Sequence, residues 1–294
     1  MFVDIWAFYA HPRLNDYSLR MPLHSNLTPL YHMIGCPWYF WGGEEGLGFA
    51  VGAVQETPEL QLKDVIDLSA GSRHTFIIEE ISGVYVSGFI ESLSGYRGHF
   101  GVVRDRLSEG PNGFLNVKFV VNDANEIVPS PKFVKVYAGA GAPGDSRGMH
   151  SLLIDQKGNV YTTGNNDKGQ LCHGDLESRD TFRQVASLPG PAKAAAVGLD
   201  FTQILLSDGR VFGCGNNEHG ELGLGPNVPY ATTPNNMNGL SDIEAVSVGL
   251  SFSLYLQADN VFGRNEGKVF GSGSNLYSQL CNSTGGDTVL VPEV

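Results

Sequence analysis

A twelve-residue motif occurs twice, 51 residues apart, and this repetition constrains the fold more than any other feature of the chain. The first copy is GNNDKGQLCHGD, residues 164–175, and the second is GNNEHGELGLGP, residues 215–226. A catalytic loop is needed once, whereas a structural turn is needed wherever its supersecondary unit recurs. The motif therefore predicts an array of similar units in which each unit packs against its neighbours.

Alignment of the motif exposes a longer unit with four copies. Each copy contains a short apolar run ending in glycine, as in AVSVG, then a second run such as QILLS, a turn such as SDGR and a third run such as VFGCG. Apolar runs joined by such turns indicate β-hairpins. We therefore predict an all-β fold, a β-propeller of four-stranded blades of about 51–59 residues. The blades are expected at about 61–130, 131–190, 191–240 and 241–294.

The first 60 residues follow the pattern less well. The segment WYFWGGEEGLG is similar to a degenerate copy of the turn motif, and DIWAFYAH aligns with DLSAGSRH of the next unit. Residues 1–60 are therefore interpreted as a degenerate first blade or as an N-terminal extension.

The motif is interpreted as the sequence of a structural turn. Its first glycine ends a strand, the asparagine tolerates left-handed backbone, the second glycine allows a tight reversal and the leucine fills the core. The predicted structural residues are Gly164, Asn165, Gly169, Leu171, Gly215, Asn216, Gly220, Leu222, Gly273, Asn275 and Leu280.

At these residues the chain resembles the regulator of chromosome condensation repeat family, whose repeat reads roughly G-x-x-H…D-G-x-V-Y-x-W-G-x-N-x-x-G-Q-L-G. The segments GSRHTFII, MHSLLIDQKGNVYTTGNNDKGQL and SDGRVFGCGNNEHGELGLG carry the resemblance, which covers about residues 60–294. The family's histidine is found as His74 and His150, which are interpreted as structural, and alignment places Gln203 and Ser253 at this position in the later units.

The resemblance also implies how many blades to expect. The family usually closes a ring of seven blades, which exceeds what 294 residues supply at this period. A smaller ring, an open arc completed by a partner and a shortened chain all fit the length.

The resemblance implies a protein without catalysis of its own. We expect a non-catalytic protein–protein interaction scaffold, and the alternative is guanine-nucleotide exchange on a small GTPase. The sequence contains no GxxxxGK[ST], HExxH or GxSxG motif, and GAGAPG at 139–144 lacks the helix that a dinucleotide site needs. No catalytic residue, no cofactor and no metal site is therefore predicted.

Charge and cysteine usage limit the partners. The net charge is −12, which disfavours direct nucleic-acid or membrane binding and leaves protein partners. The resemblance implies that these partners include a small GTPase or a ubiquitin-pathway protein. None of the four cysteines forms a CxxC pair. Cys172 is expected as a small buried side chain in a reducing compartment. Since MFVDIWAFYAHPR is not a convincing signal peptide, a cytoplasmic location is expected, with the nucleus as the alternative.

Exposed loop residues are the candidates for partner contact, because loops on a rigid scaffold often carry recognition. The insertion AGAPGDSRGM, residues 140–149, is either a tolerated surface loop or a projecting wedge, and the stretch 89–130 has the same two interpretations. The predicted partner-binding residues are Asp145, Arg147, Asp167, Lys168, Glu218 and His219.

Overall fold

The chain forms a four-bladed β-propeller arrangement, and every secondary-structure element among the described residues is a β-strand. The computed structural model describes residues 39–40, 55–56, 64–71, 74–81, 83–88, 115–139, 149–237, 239–258, 267–280 and 287–293. Two short strands precede the blades, β1 (Tyr39–Phe40) and β2 (Gln55–Glu56), and they pair with each other. What else was predicted for residues 1–60 lies outside the described part of the chain.

The four strands of each blade pair antiparallel and lie in chain order, and in blade 2 a further hairpin pairs parallel to the fourth strand. Blade 1 contains β3 (Val65–Ala70), β4 (His74–Glu79), β5 (Gly83–Gly88) and β6 (Leu115–Asn116). Blade 2 contains β9 (Phe133–Ala138), β10 (His150–Asp155), β11 (Val160–Gly164) and β12 (Arg179–Gln184), and the hairpin of β7 (Phe119–Val121) and β8 (Ile127–Pro129) extends it. Blade 3 contains β13 (Ala192–Val197), β14 (Phe201–Leu206), β15 (Val211–Asn216) and β16 (Tyr230–Asn236). Blade 4 contains β17 (Ile243–Val248), β18 (Phe252–Gln257), β19 (Lys268–Ser274) and β20 (Thr288–Glu293).

The hydrophobic cores lie between blades. Because strand side chains alternate between the two faces of a sheet, one blade contributes to two cores. In blade 2, Leu153 packs with Phe76 of blade 1, whereas Leu152 packs with Ile204 of blade 3. Leu205 of blade 3 in turn packs against Tyr255 of blade 4. Blade-to-blade packing therefore supplies the burial that a single four-stranded sheet could not achieve.

The far face of blade 4 is more open than the equivalent face of blade 3. Leu205 and Val211 are fully buried against blade 4, but their counterparts Leu256 and Val269 are 38% and 52% exposed. The described blades therefore form an array with one apolar face accessible to solvent.

Buried hydroxyls join successive blades at one repeat position. Ser151 Oγ of blade 2 lies 3.0 Å from His74 Nε2 of blade 1. Thr202 Oγ1 of blade 3 lies 2.8 Å from His150 Nε2 of blade 2 and donates to Gln170 O over 2.8 Å. In blade 4, Ser253 Oγ donates to Glu221 O of blade 3 over 2.9 Å. Each hydroxyl thus satisfies polar atoms that packing has removed from water.

The strand registers correct the alignment of the histidine position. His74 and His150 lie opposite the glycine that ends the third strand of their blades, and in the later blades Phe201 and Phe252 occupy that place. The assignment of Gln203 and Ser253 to this position was wrong. The sequence spacing agrees with the corrected position, because Phe201 follows Gly198 by three residues, as His74 follows Gly71. The aromatic ring of Phe201 fills the space beside Gly198, where a Cβ could not fit.

Cys172 is buried as expected, but it is not a free thiol, because it forms a disulfide with Cys214 of blade 3. The expectation of an unpaired side chain was therefore wrong. Cys172 follows the motif leucine in a left-handed conformation with φ of 65°, where Gly223 of blade 3 has φ of 62°. This geometry directs its sulfur towards the third strand of the next blade.

The Thr202 hydroxyl provides a direct test of the contact between blades. Substituting Thr202→Val keeps the shape but leaves His150 Nε2 and Gln170 O without this partner, so we expect the free energy of unfolding to fall by about 2–3 kcal/mol. Chemical denaturation measures the change. Thr233→Val on an exposed strand position is the control and should stay within about 0.5 kcal/mol of the original protein. Equal losses in the two variants would contradict the assigned role.

The disulfide can be tested against the backbone strain at Cys172. Its sequence separation of 42 residues predicts a loss of about 4 kcal/mol in the free energy of unfolding for Cys172→Ala under non-reducing conditions. Cys172→Gly should lose about 1 kcal/mol less, because glycine adopts the positive φ without steric cost. Denaturation of the original protein with and without a dithiol is the control. A reductant that leaves its unfolding midpoint unchanged would contradict the stabilising cross-link.

Candidate functional site

Three turns of the same construction lie at one end of blades 2, 3 and 4. Each turn closes on the second residue after its first glycine, an asparagine whose Oδ1 accepts the backbone N–H of the motif leucine. The bonds are Leu171 N to Asn166 Oδ1, 2.9 Å, Leu222 N to Asn217 Oδ1, 2.9 Å, and Leu280 N to Asn275 Oδ1, 3.0 Å. The side chain of each leucine is thereby fixed in the core, where Leu171 and Leu222 are fully buried.

The same asparagines also organise the outer half of the loops. Asn166 Nδ2 donates to Asp175 O and to Glu177 O, over 3.0 and 3.1 Å. Asn217 Nδ2 donates to Val228 O over 2.6 Å. A single carboxamide in the centre of each of these two loops therefore replaces several backbone hydrogen bonds.

The turn itself is held by a second polar side chain. Gln170 Oε1 accepts the N–H of Lys168 over 2.9 Å, Glu221 Oε2 accepts that of His219 over 2.9 Å, and Gln279 Oε1 accepts that of Tyr277 over 2.8 Å. The middle of each turn needs left-handed backbone, which is supplied by Gly169 (φ 83°), Gly220 (φ 85°) and, in blade 4, Ser278 (φ 59°). The backbone of the three turns is thus closely similar.

The structural residues predicted from sequence have different roles in the turn. Gly164, Gly215 and Gly273 have φ between 103° and 114° and lie in the last two residues of the third strands. Asn165 and Asn216 are not the turn centres but bond the side chains of Gln170 and Glu221. Asn275 is the centre of its turn, equivalent to Asn166 and Asn217. The sequence prediction missed these last two residues, although the doubled asparagine of both GNN copies was a visible signal.

The predicted partner-binding residues occupy the two exposed positions at the tip of each turn. These are Asp167 and Lys168 in blade 2, and Glu218 and His219 in blade 3. Lys168 Nζ and Glu218 Oε1 lie 2.9 Å apart, so they join neighbouring turns. The hydrogen bond raises the pKa of Lys168 and lowers that of Glu218. Asp145 and Arg147 lie outside the described residues.

Blade 4 carries different chemistry at the same two positions, which sequence analysis did not single out. Leu276 and Tyr277 replace the charged residues and are 62% and 90% exposed. We call this end of the array the turn face and define it as residues 165–178, 216–229 and 274–280 with the inner loops 198–200 and 249–251. The inner loops of blades 3 and 4 are joined by a hydrogen bond from Leu199 N to Leu250 O. Within blade 4, Ser274 N donates to Ser251 O and joins the turn to the inner loop.

Among the described residues of and next to the turn face, carboxylates outnumber cationic side chains. Arg179 bridges Asp175 and Glu177, over 2.6 and 3.3 Å, and Lys168 is paired with Glu218. The acids are Asp167, Asp175, Glu177, Asp200, Glu218, Glu221 and Asp287, the permanently charged bases are Lys168 and Arg179, and the histidines are His173 and His219. The turn face is therefore acidic overall.

Comparison with known proteins identifies the repeat. A family model described as the regulator of chromosome condensation (RCC1) repeat matches residues 157–205 and 208–256, and a second model of the same description matches 192–221. Protein RCC2 homolog of Xenopus laevis is 34% identical over 140 residues, which cover 47% of this chain and 26% of the relative. The chain therefore contains RCC1 repeats.

Other RCC1-repeat relatives have diverse names. E3 ubiquitin-protein ligase MYCBP2 of Danio rerio is 43% identical over 74 residues, 25% of this chain and 2% of the relative. Secretion-regulating guanine nucleotide exchange factor of Bos taurus is 32% identical over 139 residues, 46% of this chain and 28% of the relative. The RCC1-repeat chain thus matches less than a third of the length of each of these curated relatives.

Solved structures share the RCC1 propeller fold. Yeast RCC1 (Prp20), in its crystal structure with Kap60, has a TM-score of 0.62 at 16% identity, and the match covers 86% of this chain and 56% of that one. Prp20p from Saccharomyces cerevisiae, described with its binding properties to Gsp1p and histones, has a TM-score of 0.60 at 16% identity, covering 86% and 57%. The RCC1-repeat array therefore spans a little over half of these propellers.

Within the described residues, no group of three or more His, Cys, Asp or Glu side chains is arranged to hold a metal ion. In the same part of the RCC1-repeat chain, no helix is long and apolar enough to span a bilayer.

His173, in the blade 2 turn, gives the RCC1-repeat array a predictable response to acid. Burial, with the charges of Arg179 and Arg183, lowers the pKa of His173 to about 4, and its Nε2 lies 3.0 Å from Thr162 Oγ1. Since this pKa lies below the usual 6.5, the unfolded chain binds the proton first as the pH falls. The stabilisation is complete above pH 6.5 and is lost between pH 6.5 and 4.

We therefore expect His173→Gln to reduce the acid sensitivity of folding. Between pH 7.5 and 4.5, the free energy of unfolding of the original protein should fall by about 2–3 kcal/mol more than that of the variant. Urea denaturation at intermediate pH values measures both curves. Parallel curves would show that His173 does not control this transition.

Proposed function

We propose that this RCC1-repeat chain is a non-catalytic protein-interaction scaffold whose contact surface is the turn face. One observation carries the proposal. The three turns have nearly the same hydrogen-bonded backbone, but the two exposed side chains at each tip differ: Asp-Lys, Glu-His and Leu-Tyr. A fold that needs only the turn does not need this variety, whereas recognition of a partner does.

The rigidity of the turn face supports this function. Binding costs less when the contact residues are already ordered, because less conformational entropy is lost. The asparagine-centred turns and the disulfide from Cys172 to Cys214 limit the motion of the tips of blades 2 and 3. Surface residues fixed in this way can provide specific contacts over several blades.

Guanine-nucleotide exchange on a small GTPase is the second candidate function. It is favoured by the similarity to the secretion-regulating guanine nucleotide exchange factor and to Prp20p, whose structure was described with its binding to Gsp1p. Exchange needs no acid, base or metal from the exchange factor. A protein that binds the nucleotide-free GTPase more tightly weakens nucleotide binding by the same factor.

A partner class and a cellular location complete the scaffold proposal. The similarity to the E3 ubiquitin-protein ligase MYCBP2 makes a ubiquitin-pathway protein the other partner class that we propose. We propose a cytoplasmic location, with the nucleus as the alternative, and imaging of the tagged full chain in its own cells tests it.

Affinity capture from the protein's own cell extract separates the two functions. We expect the full chain to retain the same partners in EDTA and in magnesium with excess GTP, because a scaffold does not respond to nucleotide. A small GTPase retained only in the EDTA arm would establish exchange instead. Fluorescent GDP release from that purified GTPase would then measure the activity.

A charge swap locates the contact surface. In Lys168→Glu with Glu218→Lys, the salt bridge between the tips is preserved but each end has the opposite charge, so folding should be unchanged. We expect the amount of each partner retained in affinity capture to fall at least tenfold. The matched control is the swap Asp208→Arg with Arg210→Asp at the opposite end of blade 3, where the pair is 2.7 Å apart. Equal capture by both swapped proteins would exclude the turn face.

A further inference from the structure

The most unusual part of the turn face is the tip of blade 4. Leu276 and Tyr277 hold the positions that carry charged side chains in blades 2 and 3, and they are 62% and 90% exposed. The fold does not require them there. The apolar anchor of this turn is Leu280, which is 9% exposed, and the turn is closed by Asn275 and Gln279.

Adjacent exposed leucine and tyrosine side chains on a rigid turn have the properties of an interface anchor. Tyrosine combines a large apolar ring with a polar tip and is enriched among the residues that dominate binding energy. The hydrogen bond from Tyr277 N to Gln279 Oε1, 2.8 Å long, orders the backbone from which the ring projects. Leu250, also exposed, lies at the same end of blade 4, where the Ser274–Ser251 bond joins its loop to this turn.

The charge around this anchor indicates what would cover it. Glu218 belongs to the neighbouring tip, and Asp287 lies at the base of the turn, where its carbonyl accepts the N–H of Asn275 over 2.7 Å. The described turn face has an excess of carboxylates, and the whole chain has a net charge of −12. A partner that approaches this surface gains from carrying positive charge.

We infer that the blade 4 tip is a docking site for a protein segment that carries an apolar side chain next to lysine or arginine residues. The apolar side chain contacts Leu276 and Tyr277, and the basic residues lie towards the acidic remainder of the turn face. The inference rests on the proposed scaffold function and adds the chemical class of the partner. The contacts that contribute most of the binding free energy then lie in blade 4. The charged tips of blades 2 and 3 contribute to the electrostatic potential around them.

The chain itself offers a matched variant. Leu276→Asp with Tyr277→Lys gives blade 4 the two tip residues that blade 2 carries on the same backbone, and the net charge does not change. The variant should therefore fold normally, which a thermal melt checks. Ile81→Ser is the control for removing exposed apolar surface elsewhere, because Ile81 is 86% exposed in the turn between β4 and β5, at the opposite end of its blade.

Selection from a library of random displayed dodecapeptides on the immobilised full chain tests the inference. We expect enrichment of peptides with a leucine or aromatic residue beside lysine or arginine. Their affinity, measured by fluorescence anisotropy, should fall at least tenfold for Leu276→Asp with Tyr277→Lys and change less than twofold for Ile81→Ser.

Four outcomes would overturn the inference. Enrichment of acidic or uncharged peptides would exclude a basic partner. Equal affinity of the enriched peptides for the original protein and for the Leu276→Asp, Tyr277→Lys variant would exclude the contact with Leu276 and Tyr277. If those peptides were instead lost with the Lys168–Glu218 charge swap, the scaffold proposal would stand and only the blade 4 site would fall. Concentration-dependent dimers abolished by the variant, in sedimentation velocity, would show that a second copy covers the tip.

Discussion

The hydrogen bond from an asparagine side chain to the backbone of the motif leucine is the interaction on which the rest of this structure depends. In blade 3 the Oδ1 of Asn217 accepts the N–H of Leu222, while its Nδ2 donates to Val228 O in the outer half of the same loop. The bond thus fixes two things at once: a leucine that points into the core and a tip that points into solvent. Without it, neither the blade-to-blade packing below nor the display of side chains above would be defined.

The second level of order lies between the blades, where polar atoms are satisfied across the junction. The junction of blades 2 and 3 contains Thr202, which contacts the His150 side chain and the Gln170 carbonyl, and the disulfide of Cys172. The junction of blades 3 and 4 uses Gln203, whose Nε2 donates to Glu221 O and to Tyr255 Oη, each over 3.0 Å. Complete burial raises the pKa of Tyr255, so its phenol remains neutral and available for this network.

The fold was predictable from the sequence because its determinants are local and repeated. Glycine-terminated apolar runs and the GNN turns specify a blade without any knowledge of its neighbours, and the period reveals the array. The disulfide was not predictable in this way. Cys172 and Cys214 stand at different positions of the repeat and meet only because the turn of one blade reaches the third strand of the next. The misplaced histidine equivalents had a different origin, since the position of Phe201 three residues after Gly198 was visible in the sequence.

The candidate site was predicted in part, for a related reason. Charged residues in the copied motifs, such as Lys168 and Glu218, stood out because charge at a turn indicates exposure, but their salt bridge joins two blades and needs the three-dimensional structure. Leu276 and Tyr277 gave the opposite signal, because apolar residues in a sequence suggest burial. Alignment of the motif places them at the tip positions, and the structure shows that their side chains are exposed there.

The unequal chemistry of the three tips therefore has a structural meaning. Between blades 2 and 3 Lys168 and Glu218 are paired with each other, so a partner meets an ordered ion pair at these tips. At blade 4 the exposed ring of Tyr277 gains from being covered, because burial removes apolar surface from water. Since the same hydrogen bonds hold all three backbones, the difference lies in the side chains alone. A repeated scaffold can in this way keep its fold constant while it concentrates binding at one of its blades.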